Sequence, residues 1–135
     1  MDNEINNKKL NYKSIIIIID YFGKWPDWFP LFLESCRHNA TINWLFHTDC
    51  SFQHYDIENV SFRFITKEKY IENVNKKLNV NFRLENNYKL CELKPMCGAL
   101  YEEEIRGYDF FGYGDIDVIY GNIRDFYTQA VLENN

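Results

Sequence analysis

The chain lacks what several function classes require. Its longest apolar run, Ile15–Ile19, is five residues, far short of the roughly 20 that cross a bilayer. Basic residues are outnumbered, 15 Lys and Arg against 20 Asp and Glu, for a net charge of −5 and a pI near 5.2. A nucleic-acid binder held by phosphate contacts is not built that way. The polar start, Met1 to Lys9, has no apolar core of the signal-peptide kind, so a cytoplasmic protein is expected. Cys36, Cys50, Cys91 and Cys97 form no Cys-x-x-Cys pair, and four free, mostly buried thiols are expected. His47-x-x-Cys50-x-x-x-His54 has metal-like spacing but no fourth zinc ligand nearby; a strand end running into a polar loop explains it better. There is no internal repeat, low-complexity stretch or linker.

What is present describes a folded domain. Hydrophobic residues make up 46% of the 135 and aromatics 18%, enough for one real core and too short a chain for two. Residues 1–13 read as a loose polar arm and 14–135 as a single domain. Ser14–Asp20 is a continuous β-branched run, the pattern of a strand buried on both faces in a parallel sheet. A helix follows, with Pro30 in its first turn and Asn39 at its stop, and a stripe of Leu31, Phe32 and Ser35 or Cys36. Ile42–Thr48 and Val60–Ile65 are the next strands. Thr66 caps a helix to about Leu78 with Tyr70, Ile71, Val74 and Leu78 on its inner face.

Residues 79–90 carry turn signals and no assignable element. Pro95, which also restricts Lys94 to extended backbone, opens a predicted helix from Met96 to Arg106, closed by Gly107. Glu102, Glu103 and Glu104 form its solvated face. Phe110–Gly114 is a fourth strand, and Asn122 caps a predicted last helix, Ile123 to about Leu132, with Phe126, Ala130 and Tyr127 inward. Alternating elements of this kind define an α/β fold, three layers around a mostly parallel sheet.

The most informative feature is Asp115-Ile116-Asp117, between the aromatic strand and the apolar Val118-Ile119. On extended backbone, residues i and i+2 share a face. Both carboxylates can then reach one hard divalent cation, Mn2+ or Mg2+, that bridges to phosphate. In a parallel sheet the loop after Asp20, the Thr48-Asp49 strand end and Asp115/Asp117 converge on one edge, where α/β sheets bind ligands. Tyr21, Phe22 and Gly23 offer an apolar slot and close backbone approach; Lys24 or Lys94 offers charge to a diphosphate. Each has a plainer structural reading: a capping role for Asp49 and Asp20, packing for Tyr21, Phe22, Trp25, Trp28 and Phe29, and a surface place for His38 and His54.

Residues 17–36, Phe46-His-Thr-Asp49 and the stretch from Lys89-Leu-Cys-Glu-Leu-Lys-Pro95 to Gly112-Tyr-Gly-Asp-Ile-Asp-Val-Ile-Tyr-Gly121 resemble a bacterial family of GT-A-type glycosyltransferase-like proteins, associated with polysaccharide or lipopolysaccharide synthesis. The resemblance runs from Ile15 to Phe126 and is most specific over 89–121. It implies a nucleotide-sugar-binding fold with a metal at Asp115 and Asp117. It also implies donor contacts from Tyr21, Phe22 and Gly23, with Asp49 and Lys94 as further contacts, and a glycan or lipid-linked acceptor, with the protein cytoplasmic or peripheral at the inner membrane face. GT-A enzymes continue well past this motif, whereas 18 residues follow Asp117. The expectation is therefore a donor-binding part, incomplete at its C-terminus, whose exposed sheet edge favours self-association. No catalytic base is assigned. Two other readings stand beside it: a nucleotidyltransferase using the same carboxylate pair, disfavoured because Gly98-Ala99 lacks the hydroxyl of that class's turn, and a non-catalytic nucleotide-sugar-binding domain. An EF-hand loop is excluded, since Ile119 and Tyr120 stand where a ligand and the turn glycine are needed.

Overall fold

The computed structural model describes residues 12–135. The Ile15–Ile19 run forms the centre of an all-parallel sheet. Strand β1 (Ile15–Tyr21) pairs with β2 (Ile42–Thr48) on one side and β4 (Phe110–Tyr113) on the other, and β3 (Val60–Phe64) pairs with β2, in the order β3-β2-β1-β4. A strand flanked on both edges and covered on both faces has no polar side to present, which is why its sequence does not alternate.

Successive side chains of β1 divide between two cores. Ile15, Ile17 and Ile19 face helix α1 (Phe29–His38) through Phe29, Phe32, Leu33 and Cys36, together with Ile42, Trp44 and Phe46 of β2. Ile16 and Ile18 face Tyr70 and Val74 of α2 (Lys67–Leu78), Leu93, and Cys97 and Leu100 of α3 (Cys97–Leu100). Helical elements thus lie on both faces of the sheet, the layering expected from the sequence. Leu31 is exposed, so the inner stripe of α1 is Phe29, Phe32, Leu33, Ser35 and Cys36. The Thr66 side chain accepts from Lys69 N–H, the cap expected from the sequence, and Asn79 ends α2 in the left-handed conformation.

The connection from β2 to β3, residues 49–59, contains no helix and packs Phe52, Tyr55 and Ile57 on the α1 face. The buried Asn59 side chain donates to the carbonyls of Cys36, Asn39 and Ile42, closing the C-terminus of α1 against the start of β2. This satisfies carbonyls that a helix end leaves orphaned.

Two expected helices differ. The helix predicted from Met96 to Arg106 is a 3-10 helix, Asn87–Met96, followed by two single turns, α3 and α4 (Glu102–Ile105), broken at Tyr101. Lys94 consequently lies in helical rather than extended backbone despite Pro95. Burial of Leu93 and Cys97 in the α2-side core overrides the local preference. Glu104 leaves the solvated face to pair with Arg63 at 3.3 Å. The predicted last helix is a 3-10 turn, Ile123–Asp125, and then α5 (Gln129–Glu133). Phe126, Tyr127 and Ala130 are exposed, and Leu132 is the residue that enters the core. The segment is fixed by polar contacts instead. Asn39 donates to Gly121 O and accepts from Ile123 N–H, and Arg124 donates to Lys13 O and Thr41 O. Of the expected N-terminal arm, residues 1–11 lie outside the described residues. Lys13 is held by Arg124, whose guanidinium also lies over the Tyr12 ring at 4.8 Å.

Candidate functional site

The chain path places one position in this sheet apart from the rest. From β1 it moves through α1 to β2 and on to β3; from β3 it returns across the other face through α2 and α3 to β4, on the far side of β1. Connections leaving β1 and entering β4 diverge to opposite faces, opening a crevice between the carboxyl ends of these two strands. The loops there are Phe22–Trp28 and Gly114–Asp117. A cleft of about 280 Å3 lies between them, lined by Tyr21, Phe22, Trp28, Lys94, Asp115 and Asp117 among others, with Asn87, Tyr88 and Cys91 of the 3-10 helix as its outer wall.

The acidic pair is held by its middle residue. Strand β4, expected to reach Gly114, ends at Tyr113, and Asp115–Asp117 passes through a bend. Ile116 is buried in the α1-side core, and its carbonyl accepts from Trp28 Nε1 at 3.0 Å. With Ile116 pinned inward, Asp115 and Asp117 are exposed and both line the cleft. Lys94 Nζ donates to Asp115 Oδ1 and lies 5.9 Å from the centroid of the Tyr113 ring.

Tyr21 is fixed from one side. Its ring stacks on Trp25 at 5.2 Å, Trp25 stacks on Phe29 at 3.9 Å, and its hydroxyl donates to Lys24 O. Burial raises the Tyr21 pKa above the ordinary phenol value, so it stands in the cleft as a neutral aromatic wall. Phe22, read as part of a flat slot, is buried to 1% exposure and packs on Tyr70; its carbonyl accepts from Asn87 Nδ2. It supports the floor and offers no free face.

Gly23 and Asp49 come together, but with each other. Gly23 has φ +108°, a conformation open to glycine at little cost, and its N–H donates to Asp49 Oδ1 at 2.8 Å. Neither lines the cleft, so Asp49 is a capping residue that sets the path of the Phe22–Lys24 loop. Lys24 and Asp49 fall away from the site, while Tyr21, Lys94, Asp115 and Asp117 assemble it.

Asp20, read as structural, proves to be the centre of a buried network. The register sets it beside His47, whose Nδ1 lies 2.9 Å from Asp20 Oδ1; Oδ2 accepts from Tyr70 Oη at 2.8 Å and Tyr101 Oη at 2.6 Å. The Tyr101 ring stacks on His47 at 4.4 Å. Burial and then the Asp20 charge drive the pKa values of Tyr70 and Tyr101 upward. Both remain hydroxyl donors, and the break in the helix at Tyr101 is where one of them reaches in. The metal-like spacing of His47, Cys50 and His54 is accounted for here: His47 turns to Asp20, and Cys50 N–H bonds to Thr48 Oγ1.

Sequence reasoning missed Trp28 and the wall made by 87–91. Trp28 read as packing because its indole N–H partner is a backbone carbonyl 88 residues away. Asn87, Tyr88 and Cys91 sit in a stretch whose local signal is only a turn.

Among the described residues no three His, Cys, Asp or Glu side chains gather into a metal group. Asp115 and Asp117, both in the cleft lining, are the carboxylates that could offer oxygen ligands to a Mg2+-type ion beside substrate phosphates. Gly98 is explained by packing: a Cβ there would lie 2.9 Å from the Phe111 ring, so its place is close contact of α3 with β4 rather than a phosphate turn.

Fold and site define a parallel α/β domain with an acidic, aromatic-walled cleft at its topological switch point. The chain belongs to a family of unknown function, DUF6625, whose profile matches residues 17–135. No curated protein and no solved structure matches it. No helix among the described residues is long and apolar enough to cross a membrane.

Proposed function

We propose that this domain is GT-A-like and binds a nucleotide-diphospho-sugar in the cleft between β1 and β4, with Mn2+ or Mg2+ on Asp115 and Asp117, as the donor site of a glycosyltransferase of cell-surface polysaccharide synthesis. The observation that carries the reading is the joint placement of the acidic pair, Lys94 and the Tyr21 wall at the switch point of a parallel sheet. Ligands of such sheets bind at that place. Among the described residues Asp20, Asp115 and Asp117 outnumber the single ammonium in the lining, so an anionic ligand is favoured there only together with a cation. The metal would supply Lewis-acid stabilisation of the departing diphosphate.

The chain's own residues have narrower roles. Asp115 and Asp117 hold the cation, Lys94 meets phosphate oxygens, and Tyr21 borders the ligand's apolar part. A glycan or lipid-linked acceptor and a place in the cytoplasm, at the inner membrane face, belong to the same proposal.

Thermal-shift measurements with Mn2+ and UDP, GDP or CMP, set against nucleoside triphosphates, test it. A nucleoside diphosphate with Mn2+ is expected to raise Tm, and Asp115→Ala and Asp117→Ala are each expected to abolish the metal-dependent part. Stabilisation that survives both substitutions removes the metal assignment; stabilisation by triphosphates alone favours nucleotidyl transfer. Donor-sugar hydrolysis separates turnover from binding.

A further inference from the structure

Lys94 and a divalent cation compete for the same oxygen. Lys94 Nζ donates to Asp115 Oδ1, with side-chain exposures of 22% for Lys94 and 59% for Asp115. Among the described residues it is the one cation lining the cleft. A dication and an ammonium on one carboxylate repel each other, so binding of the first weakens the hold of the second. The two partners are tethered differently. Asp115 belongs to a bend fixed by the buried Ile116 and its bond from Trp28, whereas Lys94 reaches it on a flexible four-carbon stem.

We propose that Lys94 is an exchangeable cation of this site: it balances Asp115 until a divalent ion arrives with a nucleoside diphosphate, then swings from the carboxylate to the phosphate oxygens. The inference rests on the function proposed above and specifies how the site couples metal to ligand. Lys94 opposes the metal alone and favours the metal together with the diphosphate. Metal and nucleotide binding are then mutually reinforcing, because each relieves the repulsion the other meets. A residue that merely contacted phosphate would leave the affinity for free metal unchanged.

The test is calorimetric titration of the full chain with Mn2+ alone, and with UDP at saturating Mn2+, for wild type, Lys94→Gln, Lys94→Arg and Asp117→Asn. Lys94→Gln is expected to tighten Mn2+ binding and weaken UDP binding, each by up to about fivefold, the ceiling of a solvent-exposed ion pair. Lys94→Arg, which keeps the charge, is expected to stay near wild type in both. Circular dichroism confirms that the variants are folded. Mn2+ affinity that is lowered by Asp117→Asn but unchanged or weakened by Lys94→Gln overturns the exchange and leaves the metal site standing. A wild-type chain that binds no Mn2+, or binds it equally well as Asp117→Asn, overturns both.

Discussion

Asp20 has three strong donors on two oxygens and little exposure to water, with its side chain 15% exposed. A carboxylate so used is a joint: it ties the end of β1 to His47 of β2, Tyr70 of α2 and Tyr101 at the α3–α4 break. The loop after it, Phe22–Trp28, is one lip of the cleft, so the joint also fixes the site. Asp20→Ala leaves Tyr70 and Tyr101 hydroxyls and His47 Nδ1 without their partner inside the fold. Since an unsatisfied buried polar group costs about 1–3 kcal/mol, the substitution is expected to destabilise the protein by about 2–4 kcal/mol, read as a lower urea midpoint at unchanged slope. A loss under about 0.5 kcal/mol, the range of an ordinary surface change, contradicts the role. In sequence Asp20 was one acid at a strand end, a common residue in a common place. Its partners are 27, 50 and 81 positions away, a separation no local pattern encodes.

At the scale of elements, β4 decides two things. On its inner edge Phe110 N–H bonds to Ser14 O, just before β1, and Gly114 N–H bonds to Ile18 O of β1. With the period of two, the N–H groups of Phe111 and Tyr113 face the outer edge, which no strand among the described residues covers. Both side chains are half-exposed. An edge strand with exposed apolar side chains is a template for another strand, and on that ground self-association through β4 is proposed. Size-exclusion elution is expected to move to larger apparent mass with loading concentration, and Phe111→Lys, a charge on that edge, to hold the chain as monomer. A wild-type elution volume independent of concentration counts against it. The second matter is where β4 stops. Because it ends at Tyr113, the acidic pair is presented from a bend rather than a strand. A buried Ile116 between two exposed acids, and not extended backbone, places both at the cleft.

For the whole molecule the buried titratable groups set the pH range of the fold. Burial pushes the Cys36 thiol up to about 12 and the Cys97 thiol up to about 11, and burial with the Asp20 charge raises Tyr70 and Tyr101. In the unfolded chain these thiols ionise from near their ordinary value of 9.0 and the phenols from 10.0. Above that range the unfolded state binds fewer protons than the folded one, so stability falls as pH rises. The contribution is full below pH about 9 and is lost progressively toward pH 12. Tm is expected to drop steeply through that window, and less steeply in Cys36→Ala after allowing for its lower starting stability. A Tm flat from pH 8 to 11 contradicts the burial of these groups.

Much of this architecture was legible in the chain because local physics writes it there. Five consecutive isoleucines cannot be half-solvated, so Ile15–Ile19 had to be a central strand. Thr66 opens α2 by cap chemistry that operates within a few residues. Asp115 and Asp117 were visible as paired oxygen donors for the same reason, being two positions apart. The helix expected over 96–106 failed where long-range demands entered, as Leu93, Cys97 and Tyr101 were drawn toward the sheet and Asp20 and the chain bent to allow it. Asp49 fell from the site because Gly23 N–H needed an acceptor. Tertiary structure alone brought Lys94 onto Asp115, turned Trp28 to the carbonyl of Ile116 and raised the 87–91 wall. Those contacts join segments that share no period, cap or turn, and only the crossing of the chain from β3 back over β1 to β4 makes them neighbours.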